Sequence, residues 1–368
     1  MATDYSSRIA SVNARRNNDG ITGLNKSASF TQDSSPWDTL TNSFGSKTKS
    51  KNFQYALVSM QEVDAQYTAI SFREAERVAK QIDSGLSRLG KTVTVGLQGS
   101  LPLNVHLRRV SDVDMLVWPE SFFVFDRLGV GASSYFGSTS NSVSEITTLR
   151  SQCVTVLRHS FPATKVDDSG AKCITVTDGS LLRDIDVVPS VLYKTAAYQS
   201  SQNDEDRGVE IYDKKAQKII VNYPFKVRAL INVKDDRTGG GCKKAIRLLK
   251  NMKEDSDASI ALSSFNIMSL VYAMPDAWLE HLIYFQGKIV ASLQDWFFAL
   301  ANDEARLRSL DTVDGSRRIV QSTADVLAVK QMSEELNMLV LRIAEELQPG
   351  IQPSFALWRS KVENELVF

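Results

Sequence analysis

Apolar and polar positions alternate along this chain in two ways: the front half switches between helical and strand periods, and the back half keeps the helical period to its end. Ala75, Val78, Ala79, Ile82, Leu86 and Leu89 recur every three or four residues, which predicts an amphipathic helix. Ser71-Phe72-Arg73-Glu74 ahead of it has the form of a capping box, and Gly90 closes the run. Residues 92–97 alternate with the two-residue period of a strand, and the apolar runs Met115-Leu116-Val117-Trp118 and Ile185-Asp186-Val187-Val188 read as further buried strands. Between them a loop rich in Ser, Gly and Thr precedes a helix predicted through 145–159. Two β-like runs, 209–212 and 218–222, are split by Asp213-Lys214-Lys215 as in a hairpin, and Tyr223-Pro224 ends them.

A helix starts near Gly241, and others are expected over 288–310, 322–347 and 354–366. Ile289, Leu293, Trp296, Phe297 and Leu300 form one core stripe; Leu327, Met332, Leu336, Leu339 and Ile343 form a second. Pro349-Gly350 stops the long helix. Residues 1–50 offer few apolar anchors beyond Phe30, Trp37 and Phe44, too few to offset the entropy of ordering, so a mobile tail is expected there. The pattern predicts an α+β chain: a tail at 1–50, a sheet-bearing part at 51–235 and a helical part at 236–368.

Composition narrows the class. The 368 residues are 43% hydrophobic, enough for one large core or two moderate ones, and 43 basic residues balance 43 acidic ones. A neutral chain lacks the broad basic surface that non-specific binding of long nucleic acids requires. Cys153, Cys173 and Cys242 are scattered, as are His106, His159 and His281, so no zinc site follows and the cysteines read as reduced thiols. No apolar run approaches 18 residues and the N-terminus has no apolar signal core, which predicts a cytoplasmic protein with no membrane partner.

Candidate chemistry concentrates in two segments. Leu97-Gln98-Gly99-Ser100 is followed, after eleven intervening residues, by Asp112-Val113-Asp114. On a strand Asp112 and Asp114 face one way while Val113 faces the core. Gly99 lets the backbone approach phosphate oxygens without a Cβ, and Ser100 adds a hydroxyl. Some 70 residues on, Asp184 and Asp186 again share a face. Three aspartates on neighbouring strands suit two Mg²⁺ ions about 3.5–4 Å apart, because hard cations take oxygen ligands and the pair must clamp the attacking and leaving oxygens. The same-face argument does not separate Asp184 from Asp186. Lys243, Arg247 and Lys250 also share a helix face, which composition alone reads as a solvated basic stripe opposite Ala245, Leu249 and Met252.

Gly-Ser, a spacer, Asp-x-Asp and a later Asp-Val-Val-Pro resemble the DNA polymerase β-like nucleotidyltransferases, in particular the cGAS/DncV-like family of oligonucleotide cyclases. Members of that family read Gln-Gly-Ser, then Asn-Thr-Asn, then Ser-Asp-Val-Asp. The matching residues here are Gln98-Gly99-Ser100, Asn104-Val105-His106 and Ser111-Asp112-Val113-Asp114, so Val105 replaces the usual threonine and removes one hydroxyl near the phosphate loop. The clustered His and Cys insertion of the animal DNA-sensing relatives has no counterpart.

The resemblance implies a two-lobed nucleotidyltransferase fold, with a mixed β-sheet catalytic lobe and a C-terminal helical bundle. It implies Asp112, Asp114 and Asp186 as metal ligands and catalytic residues, with Asp186 preferred over Asp184 for the Asp-Val-Val-Pro register. It places Gln98, Gly99 and Ser100 at the nucleotide, with Lys250 and Ser264 as a lysine–serine pair on the triphosphate. The cofactor it implies is Mg²⁺, two ions, or Mn²⁺. NTPs would be joined into a cyclic di- or trinucleotide, or a short linear oligonucleotide, as a second messenger in bacterial anti-phage defence. A separate effector would read the product, and a regulatory protein or nucleic acid would activate the enzyme. Nucleotidyl transfer onto tRNA or a protein is the alternative, and an inactive fold used as a binding scaffold is the second.

Overall fold

The computed structural model describes residues 48–135, 140–281, 285–350 and 355–365, with Tyr5, Arg8, Ile9, Ser11, Val12 and Arg15. The described chain divides into two compact units, Asp64–Leu230 and a helical unit built from Met1–Val63 with Ile231–Phe368. The expected boundary before residue 51 therefore moves. Residues 51–63 belong with the helical unit because helix α1 (Lys51–Met60) buries Phe53, Tyr55, Leu57 and Met60 there. Ser50 caps α1 and also donates to Glu346 at 2.5 Å, while Asn251 and Arg247 donate to the Ser59 and Met60 carbonyls at 3.0 and 2.7 Å. Most of the expected tail lies outside the described residues. Of its described members Tyr5, Arg8 and Val12 are buried, with Arg8 paired to Glu335 at 2.7 Å, while Ser11 is exposed.

In the sheet unit, helix α2 (Ala65–Arg88) starts seven residues earlier than the capping-box reading placed it. Asp64 is the N-cap, accepting from the Tyr67 amide at 2.7 Å, and Ser71 lies inside the helix, donating to the Tyr67 carbonyl at 3.1 Å. Gly90, at φ +75°, ends it as expected, with the Lys91 amide donating back to Leu86. Strands β1 (Val93–Gln98), β2 (Val113–Pro119), β3 (Phe123–Phe125), β4 (Lys165–Asp167), β5 (Ile174–Thr177), β6 (Ile185–Lys194), β7 (Gly208–Asp213) and β8 (Lys218–Asn222) form one sheet, with helix α3 (Ser142–Ser160) between β3 and β4. The order β1-β2-β6-β5-β4 places β6 at the centre, parallel to β2 and antiparallel to β5. The second half of β6 pairs with β3 and β7, and the 208–222 hairpin forms as predicted. Strands β3, β4 and β5 carry no sequence signal longer than four residues and were not anticipated.

Period-two alternation sorts the central strands. Val113, Met115, Val117, Ile185 and Val187 face a core shared with Val78, Ile82, Leu86 and Leu149 of α2 and α3. Leu116, Trp118 and Val188 face the other way, against Val209, Ile211 and Phe225. Asp114 and Asp186 share the parity of this second set, so the strands that build the core also present both carboxylates on its far face.

After helix α4 (Pro224–Arg237) the chain is helical. Helix α5 (Gly241–Asp255) packs on α1, helix α6 (Ser264–Tyr272) packs on α5, and helix α7 (Gly287–Asn302) packs along the long helix α9 (Thr323–Leu347) and helix α10 (Phe355–Glu363). The predicted 288–310 helix breaks at Asp303, which caps a short helix α8 (Glu304–Ser309) through the Arg306 amide at 2.9 Å. All five residues of the first predicted stripe are buried; in the second, Leu327 is exposed and Val326 and Val329 take its place. Residues 351–354 and 366–368, within or beside the predicted last helix, lie outside the described residues.

Gly85 shows how tightly α2 meets α3, since a Cβ there would collide with the Val156 side chain. Gly→Ala in an exposed helix gains about 1 kcal/mol. Gly85→Ala is expected instead to lower unfolding stability by about 1–3 kcal/mol in a denaturant titration, and Val156→Ala added to it is expected to recover part of that loss.

Candidate active site

The site begins where β1 ends and β2 and β6 begin. Antiparallel pairing puts Gln98 opposite Asp114, and parallel pairing puts Asp114 opposite Asp186. Neighbouring strands lie about 4.8 Å apart, so register alone brings these two carboxyl groups onto one face side by side. Asp112 lies one residue before β2, where the Val113 amide donates to the Asp184 carbonyl at 3.1 Å and so aligns the two entry segments. Asp184, one residue before β6, is at the corresponding position of the partner strand.

Gly99 leaves β1 with φ +76°, a conformation that L side chains rarely adopt, and a Cβ built on it would fall against Asp114 Oδ2. Both facts favour glycine, and the second shows the main chain pressed against the carboxylate. The turn continues with Val105 donating to the Ser100 carbonyl at 3.1 Å and Asn104 to the Leu101 carbonyl at 3.0 Å. Val105, the residue in place of the family's threonine, is buried. The Ser111 hydroxyl accepts from the Leu107 amide at 2.9 Å and holds the approach to Asp112.

Asp112 and Asp184 lie within the fields of neighbouring carboxylates. Burial raises the Asp112 pKa, and the charges of Asp186 and Asp184 raise it further; burial, then Asp178 and Asp186, do the same for Asp184. Asp186 accepts a hydrogen bond from Thr175 Oγ1 at 2.7 Å, from the neighbouring strand β5. Among the described residues no three His, Cys, Asp or Glu side chains are gathered closely enough to hold a metal ion. Asp112, Asp114 and Asp186 offer carboxylate oxygens alone, the donor chemistry that hard divalent cations take.

Thr175 was missed in the sequence, although Ile174-Thr175-Val176-Thr177 alternates like an edge of the sheet. A second group was missed with it. Tyr67, in the first turn of α2, has the Arg183 guanidinium 3.6 Å and the Arg108 guanidinium 4.8 Å from its ring centre, and its hydroxyl accepts from the Arg109 amide at 2.9 Å. Burial and the charges of Arg108 and Arg109 lower the Arg183 pKa, against partial compensation from Tyr67 and Glu74.

Lys250 and Ser264 lie in the helical unit. Lys250 is buried on α5, and Ser264 is exposed at the start of α6, which Ser263 caps through the Asn266 amide at 3.0 Å. The stripe of Lys243, Arg247 and Lys250 is therefore not a solvated face: Arg247 is also buried, on the Met60 carbonyl, and Lys243 lies 3.6 Å from Asp235.

A mixed sheet that ends in paired aspartates beside a Gly-Ser turn, joined to a helical unit, is the architecture of a nucleotidyltransferase. Residues 229–341 match the family described as the cGAS/DncV-like nucleotidyltransferase C-terminal helical domain. The cyclic dinucleotide synthase CdnE of Yersinia aleksiciae is 34% identical over 297 residues, covering 80% of this chain and 77% of that protein. The c-di-GMP synthase of Lachnospiraceae bacterium (strain RUG226) is 28% identical over 306 residues, 77% of this chain and 86% of that one. Among solved structures, a STING-associated CdnE c-di-GMP synthase from Flavobacteriaceae sp. superposes with a TM-score of 0.74 at 24% identity, covering 94% of this chain and 99% of that chain. The one from Capnocytophaga granulosa gives 0.71 at 23%, covering 92% and 97%. The chain belongs to the cGAS/DncV-like nucleotidyltransferase family. Among the described residues no helix is long and apolar enough to cross a membrane.

Because the folded-state pKa of Asp112 is raised, its ionised carboxylate costs stability at neutral pH, and this cost disappears once the group is protonated in both states. Asp112→Asn is expected to melt at the same or a higher temperature than the parent at pH 7 in EDTA, with the difference closing below about pH 4. A lower melting temperature at pH 7 would contradict the repulsion.

Proposed function

We propose that this protein is a cyclic dinucleotide synthase that joins two NTPs with release of two pyrophosphates. The observation that carries the reading is the register of β2 and β6, which sets Asp114 opposite Asp186 with the Gly99 backbone against the Asp114 carboxylate. The 34% identity to CdnE supports the product class.

In each step a ribose hydroxyl oxygen of the acceptor bonds to the α-phosphorus of the donor. The bond from that phosphorus to the β-phosphate bridge breaks, pyrophosphate leaves with the electron pair, and the hydroxyl proton passes to a carboxylate of the cluster or to water. Bound divalent cations, Mg²⁺ or Mn²⁺ by the donor set, would be held by Asp112, Asp114 and Asp186 and would neutralise triphosphate charge and acidify the hydroxyl. Gly99 and Ser100 contribute a backbone N–H and a hydroxyl to phosphate oxygens. Thr175 fixes the Asp186 carboxyl by its hydrogen bond and keeps it aimed from the strand. Gln98 ends β1 opposite Asp114 and sets where the phosphate turn begins. Lys250 and Ser264 keep the triphosphate-binding role that the family resemblance implies. The same reading places the enzyme in the cytoplasm with its NTPs, its product read by a separate effector in anti-phage defence, and its activity raised by a regulatory protein or nucleic acid.

Purified protein with Mg²⁺ and the four NTPs is expected to yield a cyclic dinucleotide by mass spectrometry. Label on tRNA or protein would point to the transferase alternative, and binding of NTPs without any product, with or without a cell extract as activator source, to the scaffold. Asp112→Asn, Asp114→Asn and Asp186→Ala are each expected to remove product while leaving the fold intact, as is Gly99→Ala, whose Cβ would displace Asp114. Product from Asp186→Ala together with none from Asp184→Ala would move the third ligand to Asp184. Lys250→Ala is expected to raise KM for NTP by about ten-fold or more, as loss of a charged phosphate contact does.

A further inference from the structure

The hydrogen bond that steadies Asp186 comes from a strand of only four residues. Thr175 is the cross-strand neighbour of Asp186 in the β5–β6 ladder, and its hydroxyl donates to Oδ1 at 2.7 Å. Cys173, two residues back on the same side of the chain, has its sulfur 3.8 Å from that hydroxyl. Its thiol also stands near the carboxylate: burial raises its pKa, and the charge of Asp186 raises it further. Asp184 differs, for among the described residues its carboxyl accepts no hydrogen bond. Carboxylates that hold metal ions are themselves hydrogen-bonded by neighbours that fix their orientation, and a hydroxyl does this without a charge that competes with the cation. By that criterion Asp186 is the better prepared of the two.

A hydroxyl aims a carboxylate only as well as its own backbone is held. The segment that delivers Thr175, residues 168–173, lies between β4 and β5 and has no ladder of its own. One side chain supplies much of what is missing. Arg150, buried on α3, donates from Nε to Asp168 Oδ1 at 2.5 Å and from Nη2 to the Gly170 and Cys173 carbonyls at 2.9 and 2.6 Å. Lys214 closes the loop from the 208–222 hairpin, with its amide on the Ala171 carbonyl at 3.0 Å and its ammonium on Asp168. The planar guanidinium fork serves several acceptors in one fixed arrangement, which a flexible ammonium does not. Helix α3 packs on the core side of the sheet through Leu149 and Cys153, while Asp186 faces away from that core. Arg150 therefore ties the layer behind the sheet to the loop whose last residue, Cys173, borders the carboxylate.

On the reading of this chain as a cyclic dinucleotide synthase, we propose that Arg150 is a positioning residue: it holds the 168–173 loop so that Thr175 meets Asp186, and by that route sets how tightly Asp186 holds a divalent cation. The nucleotide contacts lie elsewhere, so the effect falls on the metal rather than on the NTP.

The test reads metal binding by the full chain without nucleotide, from loss of the free Mn²⁺ signal in electron paramagnetic resonance. The parent is expected to bind Mn²⁺. Thr175→Val, which keeps the shape and removes the donor, is expected to bind it about ten-fold or more weakly, and Thr175→Ser to restore binding. Arg150→Lys is expected to weaken binding by about three-fold or more, and so is Asp168→Asn, whose partly exposed side chain on the same loop keeps the test open should the buried change unfold the chain. Arg150→Lys added to Thr175→Val is expected to cost little more, because both act on one hydrogen bond. In turnover, Thr175→Val and Arg150→Lys are expected to raise the Mg²⁺ concentration for half-maximal rate, with KM for NTP within about three-fold of the parent. Parent-like Mn²⁺ binding by Thr175→Val overturns the proposal, as do a Thr175→Ser variant as weak as Thr175→Val, a loss from Arg150→Lys that adds in full to that from Thr175→Val, and a parent that binds no Mn²⁺. A parent that binds Mn²⁺, with variants that respond as expected, but makes no product keeps the positioning and removes the synthase reading; product from a parent whose variants match it in Mn²⁺ binding and Mg²⁺ dependence does the reverse.

Discussion

The parallel pairing of β2 with β6 is the constraint on which the rest of the site depends. It places Asp114 opposite Asp186, sends Val113, Met115, Ile185 and Val187 into the core behind them, and lets the β6–β5 ladder bring Thr175 to the same carboxylate. A slip of one residue in this register would turn the carboxylates into the core and the valines to the surface, so packing and chemistry enforce the same alignment. The carboxylates themselves oppose it: burial and mutual charge raise the Asp112 and Asp184 pKa values, and the apolar face behind them holds the arrangement against that repulsion.

The helical unit is held differently. Its helices bury continuous apolar stripes, but its N-terminal residues are fastened by buried polar groups. Burial alone would raise Glu335, yet hydrogen bonds from Arg8, Ser256 and Tyr5 hold its carboxyl below the usual range, while burial and that same carboxylate push the Tyr5 phenol well above its own. Arg15 pairs with Asp255 at 2.5 Å, and Tyr55 donates to the same carboxylate at 3.0 Å. Such satisfied networks fix one packing among many that apolar contact would allow.

What could be read beforehand followed from periodicity and spacing. That Asp112 and Asp114 share a face was legible because strands alternate, and the Gly-Ser turn marked the segment; alternation left Asp184 and Asp186 equal, and only the Asp-Val-Val-Pro register of the resemblance preferred Asp186. Thr175 was not legible, since β5 has only four residues and its partner on β6 is set by tertiary pairing. The Tyr67 cluster draws on three segments that no local window joins. Ser71-Phe72-Arg73-Glu74 fits a capping box, but Asp64 caps the helix first and the polar opening turn hid that start. Leu327 was misassigned because apolar residues surround it at 326 and 329, leaving the face undetermined by spacing.

One feature of chain order bears on biosynthesis. The sheet unit, Asp64–Leu230, is continuous, whereas the helical unit is assembled from segments at both ends of the polypeptide. As the ribosome releases the chain, the sheet unit can complete its core while α1 still lacks α5, its chief neighbour. For that interval Phe53, Tyr55, Leu57 and Met60 of α1 lack the C-terminal partners that bury them in the finished fold, so they stay open to chaperone binding until those helices emerge.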